Sequence, residues 1–325
     1  MTNANEIKFR CSGLGAIMTD AKEKSNKEKF DEATVNLAKY KSEYASMNAE
    51  TKTAQKKLLQ IQKTNQLLID LESVKDVVNL SETCKKELIK VYAKEKHSRY
   101  EELKNKYLDK GNEREPDATT LLSLTMKTMF RQNRVRLNND FASGEPDLYE
   151  GESIYKAKKT LDTKCSWSLI TFLEAKLDNL NSDYDWQGQG YMWLTGAEEH
   201  TVAYCLVNGT FKYLNDQIRS IGWKMGILDG DVSEDADYIK KIQQLERNHI
   251  FDINAFMKEN PHYEAKNEVY FDGVRYSWEY DIPRDQRIHM KVFNRDEEKI
   301  ERIKERVILC REYMNKEFFN QKLIQ

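Results

Sequence analysis

The chain has 325 residues, and its 52 basic and 54 acidic side chains leave a formal net charge of −2 at pH 7. It is long enough to bury a substantial core, but it has no overall positive charge, so any nucleic acid has to be bound by a local patch. No apolar run approaches the length of a bilayer span and the N-terminus lacks the pattern of a secretion signal, so we expect a soluble, cytoplasmic protein without a membrane partner.

Cysteine and histidine are too dispersed to indicate a metal site of their own. The five cysteines contain no C-x-x-C pair, and the five histidines form no H-x-x-x-H motif. This spacing argues against a zinc ribbon and against a cysteine-bound iron–sulfur cluster. The sequence also lacks a G-x-x-x-x-G-K-[ST] phosphate loop, so we expect no use of ATP.

The N-terminal third is predicted to be helical. Residues 16–110 contain no glycine and no proline, and they are rich in Lys, Glu, Ala, Leu and Gln. This composition favours long helices, and the sparse apolar positions predict that these helices are partly exposed. We therefore expect a segment of long charged helices at residues 1–110. Its charged surface is interpreted as solvated; the alternative is an arm that guides DNA or mediates oligomerisation.

After this segment, the sequence predicts both helices and strands. A helix is predicted at Glu113–Phe130, with Pro116 in the first turn, where proline is tolerated. Strands are predicted at 134–138, 146–149, 154–167, 200–208, 269–280 and 287–292, and helices at 169–177, 185–194 and 296–318. Residues 211–260 are expected to be mostly helical. This order indicates an α/β fold with a small mixed sheet flanked by helices. We expect a core at 111–208, a helical and β elaboration at 209–286, and a C-terminal strand and helix at 287–325 that complete the core.

An aspartate and a D-x-K tripeptide carry the clearest chemical signal. Asp147 is followed fifteen residues later by Asp162, within the tripeptide Asp162-Thr163-Lys164. Side chains two residues apart on a strand share one face, so Asp162 and Lys164 are expected on the same surface. A hairpin after Asp147 would reverse the chain and bring Asp162 beside Asp147. Two carboxylates and a lysine so placed suit a phosphodiesterase in which Mg²⁺ and an ammonium group meet the scissile phosphate.

The order of the motifs resembles a known nuclease superfamily. The motifs are Gly111-x-x-x-Glu115, Asp147, Asp162-Thr163-Lys164-Cys165 and Gln187-x-Gln189-x-Tyr191-Met192-Trp193. Together they resemble the PD-(D/E)XK nuclease superfamily, in particular the phage lambda exonuclease and YqaJ-like viral recombinase group. The similarity covers roughly residues 107–208 and 287–316. It implies the restriction-endonuclease-like core of that superfamily.

The resemblance also implies an activity. It implies Mg²⁺-dependent degradation of one strand of linear double-stranded DNA, usually 5′ to 3′, with Mn²⁺ able to replace Mg²⁺. A role in phage recombination, a single-strand annealing protein as partner and a homo-oligomeric assembly follow from the same similarity. Two alternatives remain, namely a structure-specific endonuclease on the same core and a catalytically inactive DNA-binding or scaffold protein.

The resemblance further assigns metal ligands. Asp147, Asp162 and the backbone carbonyl of Thr163 are expected to bind the metal, and Glu115 is expected to act as a third acid. Each assignment has a structural alternative. D-x-K tripeptides arise by chance in a chain so rich in charge, and an acid near a helix start complements the helix dipole.

The remaining motif residues are expected to act on the phosphate. Lys164 would position the attacking water and stabilise the charge of the phosphate. Gln187 and Tyr191 are four residues apart and share one helical face, where they would orient the phosphate or the lysine. Gln189 is the alternative to Gln187. The structural alternative is that Gln187 and Tyr191 are ordinary helix-surface residues.

Overall fold

The computed structural model describes residues 3–75, 79–101, 105–178, 182–227, 235–266, 268–271, 274–277 and 282–321 of the chain. The chain forms two compact units. The first comprises Met1–Phe9, Gly13–Tyr100 and Arg302–Gln325, and the second comprises Arg10–Ser12 and Glu101–Glu301. None of the described helices is both long enough and apolar enough to cross a membrane.

The first unit is built from helices. After the two-residue strand β1 (Phe9–Arg10), the chain forms α1 (Leu14–Met18), α2 (Asn26–Ala45), α3 (Lys52–Glu72) and α4 (Glu82–His97). The last three each begin at a hydroxyl cap, because Ser25, Thr51 and Ser81 accept hydrogen bonds from backbone N–H groups of the first turns. These bonds satisfy donors that have no partner within the helix.

The two longest of these helices, α2 and α3, pack against each other. Lys57 on α3 forms an ion pair with Glu43 on α2, with 2.6 Å between the charged atoms. Apolar side chains on α3 are nevertheless left open to solvent, with Leu59 50% exposed and Ile69 67% exposed. This confirms the prediction of long, partly solvated helices.

The same unit contains a pair of buried thiols. The Sγ atoms of Cys84 on α4 and Cys310 near the C-terminus lie 3.7 Å apart. All five cysteines are free, and four of them are buried. They behave as the small apolar residues that their scattered spacing indicates.

The second unit alternates strands and helices. In chain order it contains α5 (Lys106–Met126), β2 (Arg131–Gln132), β3 (Leu137–Asn138), β4 (Ala142–Gly144), β5 (Leu148–Gly151), β6 (Ala157–Cys165), α6 (Leu169–Leu177), α7 (Ser182–Thr195), β7 (Glu199–Cys205), α8 (Phe211–Lys224), α9 (Ala236–His249), α10 (Ile253–Glu259), β8 (Glu268–Phe271), β9 (Val274–Ser277) and β10 (Ile288–Asn294). The final helix, α11 (Glu297–Met314), begins in this unit and ends in the first.

A five-stranded sheet organises the second unit. Its strand order is β10-β7-β6-β5-β2. The central pair β6 and β7 is parallel, whereas β10 runs antiparallel to β7 and β5 runs antiparallel to both β6 and β2. The connection between the parallel strands contains α6 and α7, as a parallel pair requires. The predicted small mixed sheet is thus confirmed.

Helices cover both faces of this sheet. On one face, Ala118 and Leu122 of α5 pack in a buried cluster with Leu161 of β6 and Ala203 of β7. On the other face, Val202 of β7 packs in a second buried cluster. Successive side chains of a strand point to opposite faces, so this alternation places apolar residues under both layers.

The helix α5 begins earlier than its sequence predicts. It starts at Lys106 and not at Glu113, because Asn105 caps it by accepting hydrogen bonds from two backbone N–H groups of its first turn. Pro116 therefore lies inside the helix and not in its first turn. Pro116 is exposed, and so is Asn112, whose carbonyl has no N–H partner at Pro116. The helix also crosses the boundary expected between residues 110 and 111.

Two predicted strands are present in the structure with different ends. The strand predicted at 154–167 begins only at Ala157, because a single turn of 3₁₀ helix occupies Ile154–Lys156. The strand predicted at 269–280 is a hairpin of β8 and β9. Residues 272–273 and 278–280 of that prediction lie outside the described part of the chain.

Candidate active site

The hairpin of β5 and β6 brings the two aspartates together. Leu148 pairs with Leu161, so the next residues outward in this antiparallel register are Asp147 and Asp162. The backbone N–H of Thr163 donates to Oδ2 of Asp147 at 2.8 Å. This contact fixes the Asp147 carboxylate at the edge of β6. The hairpin predicted from the sequence is therefore present.

Asp162 and Lys164 share one face of β6, as their spacing predicts. The Nζ atom of Lys164 donates to Oδ2 of Asp162 at 2.6 Å. Asp162 is 2% exposed, whereas the Lys164 side chain is 33% exposed. Burial by itself would lower the pKa of Lys164, but the negative charge of Asp162 and its hydrogen bond hold the pKa above its ordinary value. The lysine therefore stays an ammonium ion that is open to solvent.

The helix α7 supplies two more polar groups. The Nε2 atom of Gln187 donates to Oδ2 of Asp162 and to the hydroxyl of Tyr191, at 3.0 Å in each case. Both side chains are buried. Burial, together with the nearby charge of Asp162, raises the pKa of Tyr191, so its hydroxyl keeps its proton.

The structure distinguishes the two glutamines of this helix. Gln189 donates to Asp185 and to the backbone carbonyl of Asn294, and it accepts a hydrogen bond from the backbone of Asp296. These contacts join α7 to the start of α11. Gln187, and not Gln189, is the glutamine that contacts Asp162.

The carboxyl pair has the electrostatic character of a cation site. Burial and, after it, the charge of Asp162 raise the pKa of Asp147 to about 7, although Lys164 and the backbone N–H of Thr163 oppose this shift. A shift of this kind means that one ammonium group does not fully balance two carboxylates in a confined space. Oxygen ligands with surplus negative charge are those that Mg²⁺ and Mn²⁺ bind, so Asp147 and Asp162 fit a divalent cation.

The expected third acid is not part of a compact ligand group. Among the described residues, no three His, Cys, Asp or Glu side chains come together as a metal-binding group. The reason is that α5, which carries Glu115, covers the face of the sheet where Leu161 points, whereas Asp162 points to the opposite face. The charge of Glu115 nevertheless contributes to the raised pKa of Asp147. Glu115 lies near the aspartates without joining them.

Three further residues support this site and were missed in the sequence. Lys110 is buried, and its Nζ donates to the backbone carbonyls of Ser166 at 2.8 Å and Trp167 at 3.2 Å. It thereby holds the chain that follows the D-x-K tripeptide. The sequence did contain a signal for the burial of Lys110. This residue lies at helical spacing from Ala118 and Leu122, so all three share one buried face of α5.

The other two, His200 and Gly188, lie where α7 packs on the sheet. His200 of β7 is fully buried, and its Nδ1 pairs with the hydroxyl of Thr160 at 2.9 Å. Burial lowers the pKa of His200 to about 4, so the ring is neutral. Gly188 faces this ring, and a Cβ atom there would lie 2.6 Å from His200 Cδ2. The absence of a side chain thus lets α7 approach the sheet. In the sequence, His200 belongs to no recognisable motif, so nothing indicated its position beside α7.

A solved exonuclease shares this fold. A phage-related exonuclease from Haemophilus somnus 129PT is similar with a TM-score of 0.53 and 21% identity, over 97% of this chain and 97% of that chain. An alkaline exonuclease from Laribacter hongkongensis is similar with a TM-score of 0.45 and 13% identity, over 77% of this chain and 88% of that chain. No protein-family model and no curated protein matches the sequence. The first similarity confirms, at the level of the fold, the resemblance indicated by the motifs.

Proposed function

We propose that this protein is a metal-dependent deoxyribonuclease with a PD-(D/E)XK core. The observation that carries the proposal is the arrangement of Asp147, Asp162 and Lys164 on two adjacent strands. The two carboxylates oppose each other across the hairpin, and the lysine contacts Asp162 at 2.6 Å. Carboxylates that bind a metal and a cation that meets a phosphate are the components that phosphodiester hydrolysis requires.

The carboxylates would hold the metal. Asp147 and Asp162 are the proposed ligands, with the backbone carbonyl of Thr163 and the side chain of Glu115 as additional ones. Mg²⁺ is the proposed ion, and Mn²⁺ is expected to replace it. When bound, such an ion supplies Lewis-acid stabilisation of the phosphoryl oxygens and lowers the pKa of bound water.

The neighbouring side chains would act on the substrate and on the ligands. Lys164 is positioned to neutralise charge that develops on the scissile phosphate and to orient the attacking water. Its high pKa keeps this charge in place at neutral pH. Gln187 fixes the orientation of the Asp162 carboxylate, and Tyr191 in turn holds Gln187. Groups that orient a metal ligand in this way tune its affinity for the metal.

The substrate we propose is linear double-stranded DNA, degraded from an end, 5′ to 3′ on one strand. The supporting observation is the similarity in fold to a phage-related exonuclease over 97% of both chains. We extend the proposal to a role in phage-type recombination inside the host cytoplasm, together with a single-strand annealing protein. A homo-oligomeric assembly belongs to the same proposal.

Digestion of two DNA forms tests the proposal. Purified protein with Mg²⁺ is incubated with linear duplex and with covalently closed circular DNA of the same sequence. We expect the linear DNA to be degraded and the closed circle to be spared. Nicking of the circle would support the endonuclease instead. If the protein binds DNA but does not hydrolyse it in Mg²⁺ or Mn²⁺, the remaining alternative is a catalytically inactive scaffold protein.

Polarity is tested in the same preparation. Linear duplexes labelled at either the 5′ or the 3′ end are digested briefly. A 5′ to 3′ exonuclease releases the 5′ label first as a mononucleotide. Early release of the 3′ label would overturn the proposed direction while leaving the nuclease assignment intact.

A further inference from the structure

Two cysteines of the first unit lie in direct contact. Cys84 belongs to α4 and Cys310 to α11, and both side chains are 0% exposed. Their Sγ atoms lie 3.7 Å apart, which is within hydrogen-bonding distance for sulfur. The two residues are 226 positions apart in the sequence, so the tertiary structure makes this contact. No step of the proposed hydrolysis uses it.

The cysteines on the sheet of the second unit are arranged differently. Cys165 and Cys205 stand opposite each other on the parallel strands β6 and β7. Their Sγ atoms nevertheless contact backbone carbonyl oxygens of α5 and β7. Burial raises the pKa of both thiols, so they stay protonated. In contrast, Cys84 and Cys310 bond to each other, and sulfur-to-sulfur contact is what a disulfide requires.

Only a small movement separates the pair from a disulfide bond. That bond is about 2.0 Å long, so the two sulfur atoms have to approach each other by about 1.7 Å. Shared between the two atoms, this is about 0.9 Å for each, which is the amplitude of ordinary thermal motion in a protein. The reaction therefore needs no rearrangement of the fold.

A positive charge lies beside the pair. Arg306 precedes Cys310 by four residues, so the two share one face of α11. The hydrogen bond from Cys310 lowers the pKa of Cys84, burial opposes this, and the charge of Arg306 lowers it further. Nη2 of Arg306 donates to Asp20, whereas its Nη1 is buried and has no hydrogen-bond partner among the described residues. A neighbouring cation with an available donor favours the thiolate, which is the reactive form of cysteine.

We propose that Cys84 and Cys310, with Arg306 beside them, form an oxidisable dithiol site that a peroxide converts into a disulfide bond between α4 and α11. Cys84 is the attacking sulfur and Cys310 completes the bond. The inference does not depend on the proposed hydrolysis of DNA, because both cysteines lie outside the unit that carries Asp147 and Asp162.

The reaction consumes one peroxide for each disulfide. The thiolate of Cys84 attacks one oxygen of hydrogen peroxide, the O–O bond breaks, and the departing hydroxide takes up the proton that Cys84 released. The sulfur of Cys310 then attacks the sulfenic acid, the S–O bond breaks, and water leaves with the Cys310 proton. Two thiols thus lose two electrons, and one peroxide becomes two waters. Hydrogen peroxide is small and uncharged, so brief local opening of the packing suffices to admit it.

The disulfide constrains the chain strongly because it joins distant positions. The loop that it closes contains Glu101–Glu301 of the second unit. A cross-link over a long loop restricts the unfolded chain more than one over a short loop, so oxidation stabilises the folded state. A reducing cytoplasm keeps such thiols reduced. The bond therefore forms when peroxide accumulates, and dithiol reductants reverse it.

A count of free thiols tests the site in the full-length protein. The native, reduced protein is incubated with hydrogen peroxide, freed of peroxide with catalase, unfolded in urea and alkylated with a maleimide. We expect two of the five thiols to escape alkylation, and digestion without reduction to release a peptide that joins Cys84 to Cys310. Dithiothreitol should restore all five. Five alkylated thiols after peroxide, a disulfide between another pair, or oxidised single thiols without a cross-link would overturn the inference.

Single replacements separate the disulfide from oxidation elsewhere in the chain. Cys84→Ala and Cys310→Ala each remove one sulfur from a buried position and leave it apolar. Oxidation should shift the urea midpoint of the wild type upward, as followed by circular dichroism of the helices, and it should shift neither variant. The same upward shift in either variant would contradict a bond between these two residues. If a variant does not fold, the thiol count of the wild type still decides.

A matched pair of arginine variants tests the charge beside the sulfurs. Arg306→Gln should slow disulfide formation severalfold, because it removes the cation that favours the thiolate. Arg302→Gln is the control, since Arg302 is exposed and lies one turn earlier in the same helix. The rate is measured as the loss of alkylated thiols with time. Equal rates in the two variants would overturn the role of Arg306 in the site.

Discussion

Two hydrogen bonds converge on one carboxylate oxygen of the candidate active site. Lys164 and Gln187 both donate to Oδ2 of Asp162, a residue that is 2% exposed. A buried carboxylate is tolerated only when it is paired and hydrogen-bonded, so these donors stabilise the buried charge of Asp162 and fix the orientation of its carboxylate. The lysine is the member of the group that reaches solvent.

Replacement of this lysine is the sharpest test at the scale of single residues. We expect Lys164→Met to lower the rate of DNA hydrolysis at least about a hundredfold, the effect typical of losing one charge-stabilising group. The matched control is Lys159→Met on the same strand, where the lysine pairs with Glu199 at a partly exposed position. The assay compares initial rates on linear duplex at saturating Mg²⁺. Equal rates in the two variants would refute the role of Lys164.

At the scale of elements, a glycine sets the distance between α7 and the sheet. A Cβ atom on Gly188 would lie 2.6 Å from the ring of the buried His200, and that ring cannot retreat because Thr160 holds its Nδ1 atom. The neighbouring residue in α7 is Gln187, which contacts Asp162. The packing of one helix thus determines whether the glutamine reaches the carboxylate.

We expect Gly188→Ala to destabilise the protein by about 1–3 kcal/mol, the usual cost of overpacking a core. It should also reduce hydrolysis, because α7 moves outward with Gln187. Gly111→Ala is the control, since nothing lies within 4 Å of a Cβ atom at that helical position. The control should be neutral or stabilising. Urea unfolding followed by tryptophan fluorescence measures both. A Gly188→Ala variant as stable as Gly111→Ala would contradict the close approach.

At the scale of the whole molecule, a buried lysine makes stability depend on pH. Burial lowers the pKa of Lys110 to about 7, whereas the pKa of a lysine in an unfolded chain is about 10.4. Between these values the unfolded state binds more protons than the folded state. The free energy of unfolding therefore rises with pH through this window, by at most about 1.4 kcal/mol per pH unit from this group.

The Lys110→Met variant isolates this contribution. Its free energy of unfolding should rise less steeply than that of the wild type between about pH 7 and about pH 10. All five tryptophans lie in the second unit, so their fluorescence follows the unfolding of that unit alone. Parallel pH profiles for the two proteins would show that Lys110 is not held in a low-pKa environment.

Preferences that depend only on residues close in sequence determined a large part of this structure. The glycine-free composition predicted the helices of the first unit, because helix propensity sums over many residues. The spacing of Asp162 and Lys164 predicted their shared face, because strand side chains alternate with a fixed period of two. These properties depend on neighbours in sequence, so the sequence by itself specified them. The start of α5 escaped prediction because Asn105, which caps it, stands among charged residues that resemble the helix itself.

Contacts between distant residues were decided only by the tertiary structure. The choice of Gln187 over Gln189 depends on which side of α7 meets β6, and a two-residue shift along a helix turns a side chain by more than half a turn. The carbonyls that Lys110 contacts lie 56 and 57 residues further along the chain. Glu115 is carried by α5, which covers the face of the sheet opposite to Asp162, and yet its charge acts on Asp147. Such relations arise from how helices pack on strands, and no local pattern in the sequence records them.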